Sequence, residues 1–295
     1  SGPKPYDPLM MFKILILQRY YNLSDSQLEF QILDRLTFCR FLGLSLSDKV
    51  PDEKTVWLFR SVLIDKGLDK ELFEMFGALL EEHGLIAHEG KIVDASFVEA
   101  PKQRNTRDEN KRIKGGETPE EWDENPHKKR QKDTDARWTK KNGEKHFGYK
   151  NHAKVDNKHK FIVKAVTTDA SVHDSQALED LIDEKDRNQD LWADSAYTGE
   201  KQVALLKKYG VINKVHEKGY KNKPLNNQQK EANTEKSKTR ARVEHVFGFM
   251  EQSMNKLEVR SIGIKRAKGF VNMVNLTYNL FRYEQVVRIE GIAMS

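Results

Sequence analysis

Lys91-Ile92-Val93-Asp94-Ala95-Ser96-Phe97-Val98 is the stretch whose reading decides the fold. It is short, apolar and rich in β-branched residues, which is the composition of a buried strand, and it carries one carboxylate in its middle. Upstream of it the pattern is helical. Leu9, Phe12, Ile16 and Tyr20 recur at spacings of three and four, as do Leu28, Ile32 and Leu36 and then Phe38, Phe41 and Leu42. Ser24-Asp25-Ser26-Gln27 spells a capping box and Gly43 supplies a stop. A third helix follows Pro51-Asp52, carries Val56, Phe59, Arg60 and Leu63, and ends at Gly67; a fourth runs from Asp69 to Gly84. These spacings predict an all-α domain of four short helices over residues 1–90, followed by an α/β domain over residues 91–295.

Downstream of the strand, residues 101–145 hold almost no aliphatic side chains and are dense in charge, with Gly115-Gly116 among several turn formers. This composition predicts a solvated insertion, partly disordered without a ligand. Two strands follow, His146 to Val155 and His159 to Thr168, joined by the hairpin signal Asp156-Asn157-Lys158. A helix starts near Asp174-Ser175, with Asp174 as its expected N-cap. Then come a strand at Leu191-Trp192-Ala193-Asp194, a helix from about Thr198 to Tyr209 and a strand from Val211 to Val215. The remainder reads as helical, broken by a polar stretch around residues 216–235.

The 295 residues carry 51 Lys+Arg against 45 Asp+Glu, a formal net charge of +6, with 37% hydrophobic and 33% charged residues. No apolar run approaches the roughly 18 residues that would cross a bilayer, and no signal-peptide pattern opens the chain, so a soluble, cytosolic protein with no membrane partner is expected. The chain opens Ser1-Gly2-Pro3 without methionine, pointing to residues missing upstream or to a leftover tag. Cys39 is the single cysteine, which excludes an intrachain disulfide and a cysteine-based zinc cage. It sits in an apolar phrase and is expected to be a small buried hydrophobe.

Three acids stand where acids are unusual: Asp94 inside an apolar strand, Asp194 at the end of another, and Glu244 within Arg240-Ala241-Arg242-Val243-Glu244-His245-Val246-Phe247. A carboxylate drawn into a core strand is desolvated unless something neutralises it, and a divalent metal does so. Taken singly, each is as readily an acid that ends its strand and points into water. Glu244 lies beside a stripe of Val243, Phe247, Met250 and Met254, in line with Lys236 and Arg240 at i, i+4 spacing. Arg240 one turn before it either grips a phosphate or makes an ordinary helical ion pair worth about 0.3–0.5 kcal/mol.

The order of these acids along three strands, a further strand and a late helix follows a ribonuclease H-like fold. Here the sequence resembles the DDE transposases of bacterial insertion sequences, specifically the IS5-like group of the IS4/IS5 superfamily. The phrases that carry the resemblance are Ile92-Val93-Asp94-Ala95-Ser96, Asp194-Ser195-Ala196-Tyr197 and Arg240-x-x-x-Glu244 with Val246-Phe247-Gly248 behind it. Tyr6-Asp7-Pro8 through Leu23-Ser24-Asp25, Pro51-Asp52-x-x-Thr55, His173-Asp174 and Tyr278-Asn279-Leu280-x-Arg282 are similar to that family too. The superfamily signature Tyr-x2-Arg-x3-Glu-x6-Lys has its arginine and glutamate here, but Ser237 stands at the tyrosine position and Glu251 at the lysine position. Lys236, Lys238 or Lys256 are the available replacements for contacts to the transposon-end backbone.

The resemblance implies a ribonuclease H-like catalytic domain, a mixed sheet with flanking helices, behind the helical N-terminal domain. It implies two Mg²⁺ ions, with Mn²⁺ as a substitute, roughly 3.5–4 Å apart. Asp94 would bridge them, Asp194 complete one site and Glu244 the other. Water would first expose a 3′-hydroxyl at the element end, and that hydroxyl would then attack target DNA. Double-stranded DNA, as terminal inverted repeats and as target, is the implied partner, and holding two ends together suggests a homodimer. A bacterial cytoplasmic protein, associated with the nucleoid when on DNA, follows. The alternatives are a host-adopted metal-dependent nuclease without strand transfer and a catalytically inactive DNA-binding protein.

Two basic runs are candidates for DNA contact: Lys128, Lys129 and Arg130 in the insertion, and Lys214, Lys218, Lys221 and Lys223 ahead of the glutamate helix, where Lys236 and Arg240 continue the charge. The insertion run is equally a solvated face, whereas for the second run the proximity to Glu244 favours DNA contact over that reading. Trp122 and Trp138 stack on a base or pack locally within the insertion. His146 and His152, six apart and hence on one strand face, and His173 and Tyr197 are candidates to orient the carboxylates or touch phosphate. Residues 1–90 hold 10 Lys+Arg and 14 Asp+Glu, so the excess of positive charge falls in residues 91–295. The helical half is therefore expected to serve dimerisation and end recognition rather than as a general DNA clamp.

Overall fold

The computed structural model describes residues 5–141 and 143–291, so the Ser1-Gly2-Pro3 opening lies outside the described residues. Five helices come first: α1 (Pro8–Tyr20), α2 (Asp25–Asp34), α3 (Leu36–Leu42), α4 (Glu53–Asp65) and α5 (Leu68–Glu82). The capping box at Ser24 and Gln27 opens α2, and the Asp52 side chain caps α4 by accepting from Thr55 N at 2.8 Å. The sequence pattern merges α2 and α3 into one helix, but Arg35 between them is extended, with φ −102° and ψ 109°. The break lets Arg35 lay its guanidinium over the rings of Tyr21 and Phe38 while the buried Cys39 donates to the Ile32 carbonyl. Helical periodicity carries no mark of such a kink when both halves stay apolar.

The remaining elements are β1 (Lys91–Glu99), α6 (Arg107–Lys114), α7 (Pro126–Arg130), β2 (Arg137–Lys141), β3 (Glu144–Asp156), β4 (Ile162–Asp169), α8 (Leu178–Leu181), β5 (Asp190–Trp192), α9 (Glu200–Lys208), β6 (Ile212–Asn213), α10 (Asn227–Gln252) and α11 (Ile264–Glu290). The six strands form one mixed sheet ordered β2-β3-β1-β5-β6, with β4 also on β3. β1 is antiparallel to β3 and parallel to β5, and β5 is parallel to β6. This mixed sheet with flanking helices is the expected fold class, with two local differences. The insertion contains a strand, β2, and the later part of the polar stretch before Glu244 is helical because α10 begins at Asn227 under an Asn226/Gln229 capping box.

Both faces of the sheet are covered. Ile92 and Val98 join Val243, Val246, Phe247 and Met250 of α10 in a core that continues through α11 to Ile14, Leu15 and Leu28 of the N-terminal helices. Val93 faces the other way, into Leu178, Leu181, Leu191, Tyr197 and Leu206. The insertion has a small core of its own, not the partly disordered state its composition suggests. Trp122 is fully buried, its Nε1 donates to Glu109 at 2.7 Å, and Lys128 pairs with the same carboxylate at 2.7 Å. No helix among the described residues is long and apolar enough to cross a membrane.

Candidate active site

The register between β1 and β5 brings the two aspartates together. Ile92 stands opposite Trp192 in the parallel pair, and Asp94 and Asp194 each lie two residues further along. Side chains two apart share a strand face, so continuing this register past Trp192 sets both residues toward the face that α10 covers, and the Asp194 charge is felt at Asp94. Beyond β5 the chain is held in line by the Ala193 carbonyl, which accepts from His216 N at 3.0 Å. Asp194 then caps the turn Ser195–Tyr197, its Oδ1 accepting from Ala196 N at 2.8 Å.

Arg240 connects the third acid. Its Nη1 donates to Asp94 Oδ2 at 3.1 Å, and its Nη2 lies 3.6 Å from Glu244 Oε1, one turn along α10. The Asp94 side chain is 13% exposed and that of Glu244 64%, so the site runs from a desolvated acid to one in solvent. Burial pushes the Asp94 carboxyl up to about 6; the Ala95 N–H and Arg240 oppose the rise and Asp194 adds to it.

Among the described residues no three acids or histidines are already gathered into a cation cage. The donor set nevertheless fits a hard divalent ion: three carboxylates supply only oxygen, the ligand type Mg²⁺ takes. Asp94 is an incompletely neutralised buried acid, and the Arg240 guanidinium already stands as a positive charge between it and Glu244. Arg240 Nε is buried without a hydrogen-bond partner among the described residues, so this cation is not fully satisfied where it stands.

Of the four residues expected to orient the carboxylates, Tyr197 is near them. Burial raises its phenol pKa first, followed by the charges of Asp174, Asp94 and Asp194, and its hydroxyl has no hydrogen-bond partner among the described residues. The histidines are a correction. His146 and His152 do share a face, but Asp94 pairs with Ala153, so even-numbered residues of β3 point to the opposite side of the sheet. There His146 bonds Glu99 at 2.7 Å and stacks on Phe97, and His152 Nε2 meets Thr168 Oγ1 at 2.8 Å. His173 is exposed and caps the turn at Asp174–Ala177 by accepting from Ser175 N. Asp174, the expected cap, is instead buried against Lys150 Nζ at 2.7 Å.

The cations divide. Lys128 is tied to Glu109 and Lys129 to Asp123 at 2.5 Å, while Arg130 is exposed with no ion pair among the described residues. Lys218, Lys221 and Lys223 are exposed in the loop between β6 and α10, Lys214 is half-buried at the end of β6, and Lys236 donates to the Val215 carbonyl at 3.0 Å. One residue near the acids was not anticipated. His216 follows β6, its Nε2 lies 3.4 Å from Ser237 Oγ, and its pKa is lowered by burial, then Arg240 and Lys236, with Asp194 opposing. It lies three residues beyond β6, and its place near Asp194 is set by the bond from its own backbone N–H to the Ala193 carbonyl.

Two family models match the chain: one described as "Transposase DDE domain" over residues 87–280, and one described as "Transposase domain (DUF772)" over residues 1–62. The first spans Asp94, Asp194 and Glu244. Among solved structures, a piggyBac transposase synaptic complex with hairpin DNA matches at TM-score 0.54 and 10% identity, covering 100% of this chain and 70% of that one. A pre-cleavage Mos1 transpososome aligns at TM-score 0.26 and 10% identity, covering 99% and 81%. The piggyBac likeness is one of fold. With the first model matching well over half of its length, the chain belongs to the DDE transposase family.

Proposed function

We propose that this protein is an IS5-like transposase of a bacterial insertion sequence that cuts the element's ends and joins the freed 3′-hydroxyl to target DNA. The observation that carries the reading is the β1–β5 register, which sets Asp94 beside Asp194 while Arg240 ties Asp94 to Glu244. Asp94, Asp194 and Glu244 would hold divalent cations, Mg²⁺ or Mn²⁺, whose chemistry is to activate the attacking oxygen and stabilise the leaving one in a phosphodiester displacement. The chain's own part is positional. Two strands of one sheet fix the aspartates, the cores on both sheet faces keep bulk water from Asp94, and α10 brings Glu244 across the open side. Arg240 balances the acids and has spare donors for the phosphate being cut.

Duplex DNA fits this site by charge. Lys218, Lys221 and Lys223 have no ion pairs among the described residues and lie on the loop leading to α10; Arg130 adds a free cation from the insertion. A homodimer fits the exposed apolar side chains of the N-terminal helices, Phe30 and Leu33 one turn apart on α2 with Leu36 and Phe41 on α3. The test is cleavage of a labelled duplex carrying the element end. Asp94→Asn, Asp194→Asn and Glu244→Gln are each expected to abolish divalent-dependent cleavage and keep duplex binding. Full cleavage by any one of them refutes the assignment, and failure of wild type to join cut ends to a second duplex reduces the protein to a nuclease.

A further inference from the structure

Where α1, α2 and α4 meet the start of α11 there is a cavity of about 260 Å³, and Arg19, Arg60, Arg260 and Arg266 all line it. Two carboxylates share the space, and both are taken. Arg60 grips both oxygens of Asp25, at 2.6 and 2.8 Å, and Asp65 accepts from Lys265 at 2.6 Å. Among the described residues the other three arginines hydrogen-bond only to neutral groups, although Asp25 acts on Arg19 and Arg266 on Asp65 through space. Arg19 donates to Gln18 Oε1 at 2.7 Å, an acceptor it shares with Arg60, and lies over the Phe270 ring at 4.8 Å. Arg260 donates to Asn22 Oδ1 at 2.6 Å, and Arg266 to the Ile262 carbonyl at 3.3 Å.

Such a cluster is uncomfortable. Burial, then Arg60, then Arg260 push the Arg19 guanidinium down to about 9, with Asp25 opposing. A guanidinium keeps its charge at that value, and with four arginines against two carboxylates on the cavity wall a bound anion would improve the balance. Planar forks of N–H donors converging on one space suit the oxygens of a phosphate, which guanidinium binds in bidentate fashion. The walls come from both transposase regions: Arg19 and Arg60 lie in the match over residues 1–62, Arg260 and Arg266 in the match over residues 87–280. A ligand here would fasten the helical region to the region that bears the carboxylates.

We infer that this cavity binds one backbone phosphate of duplex DNA, held by Arg19, Arg260 and Arg266 and separate from the carboxylate site. The choice of DNA rests on the transposase reading above; the need for an anion rests on the arginines alone. The Asp25–Arg60 pair is scaffolding, since it fixes Gln18, which presents Arg19.

The test measures binding of a labelled duplex by fluorescence anisotropy across a range of NaCl concentrations. It compares wild type with Arg19→Gln, with the exposed pair Arg260→Gln/Arg266→Gln, and with Arg288→Gln as a surface control. Loss of one phosphate contact is expected to weaken binding about tenfold and flatten the plot of log affinity against log salt by about one. Arg288→Gln should do neither, and the exposed pair answers the question if Arg19→Gln fails to fold. Wild-type binding with an unchanged slope in the variants overturns the inference while leaving the transposase reading standing. If wild type binds no duplex, yet sodium phosphate raises its melting midpoint and not that of the exposed pair, the ligand is a free phosphate and the DNA assignment is overturned. No response to either probe overturns the site altogether.

Discussion

His152 on β3 offers a measurement of whether the face opposite the carboxylates is structural. Its ring is completely buried, its Nε2 is engaged with Thr168, and its Nδ1 has no hydrogen-bond partner among the described residues. Burial pushes its pKa down from 6.5 to about 4; Asp174 opposes this, but that carboxylate is occupied by Lys150, and Lys150 and Lys141 add to the lowering. The ring is therefore neutral in the native state. Because the folded pKa lies below the unfolded one, the unfolded chain binds the extra proton between these values, so stability falls as pH drops from 6.5 towards 4. At about 1.4 kcal/mol per pH unit the full loss is about 3 kcal/mol, and about 2 kcal/mol of it is reached near pH 5. His152→Gln removes the titration and keeps a side chain able to meet Thr168. Urea unfolding near pH 7.5 and near pH 5 should show wild type losing about 2 kcal/mol more than the variant over that interval. Equal losses in the two proteins would refute the reasoning and place a proton on Nδ1 in the native state.

Two further outcomes follow from surfaces and cores already described. Phe30→Asp with Leu33→Asp, at positions 62% and 64% exposed, should leave the monomer folded and shift the molecular mass by light scattering from dimer to monomer; a dimer that persists removes α2 from the interface. Trp122→Ala deletes the fully buried centre of the insertion and its bond to Glu109, at a local cost of about 3–5 kcal/mol. Limited proteolysis should then cut first within residues 101–145, and an unchanged cleavage map would show that Trp122 does not hold the insertion together.

What the sequence made legible is what local pattern controls. Alternating and β-branched residues mark β1, β3 and β4, and three acids in unusual places mark the candidate site. β2 escaped because Arg137-Trp138-Thr139-Lys140-Lys141 is as polar as the segment around it, and its strand state depends on pairing with β3. The histidines illustrate a second limit. The period of two correctly grouped His146 with His152, yet which side of the sheet they face depends on the register with β1, and a shift of one residue would reverse it. His216 was passed over because its place beside Asp194 is made by a backbone bond to Ala193, which no spacing encodes.

Charge shows most clearly where composition stops being a guide. Residues 1–90 carry more acid than base, and on that ground the helical half reads as a scaffold for dimerisation and end recognition rather than a general DNA clamp. The sum hides an arrangement: Asp25 is consumed by Arg60, Asp65 by Lys265, and Arg19 is left facing a cavity with two more arginines from the other half of the chain. Potential in a cleft is set by the charges that remain unpaired near it, because paired ions largely cancel beyond a few ångströms and screening removes distant ones. The same logic governs Arg240. Read along its helix it belongs to Glu244, but its shorter contact is to Asp94, 146 residues away, at 3.1 Å against 3.6 Å. Any cation bound by Asp94 Oδ2 must therefore compete with Arg240.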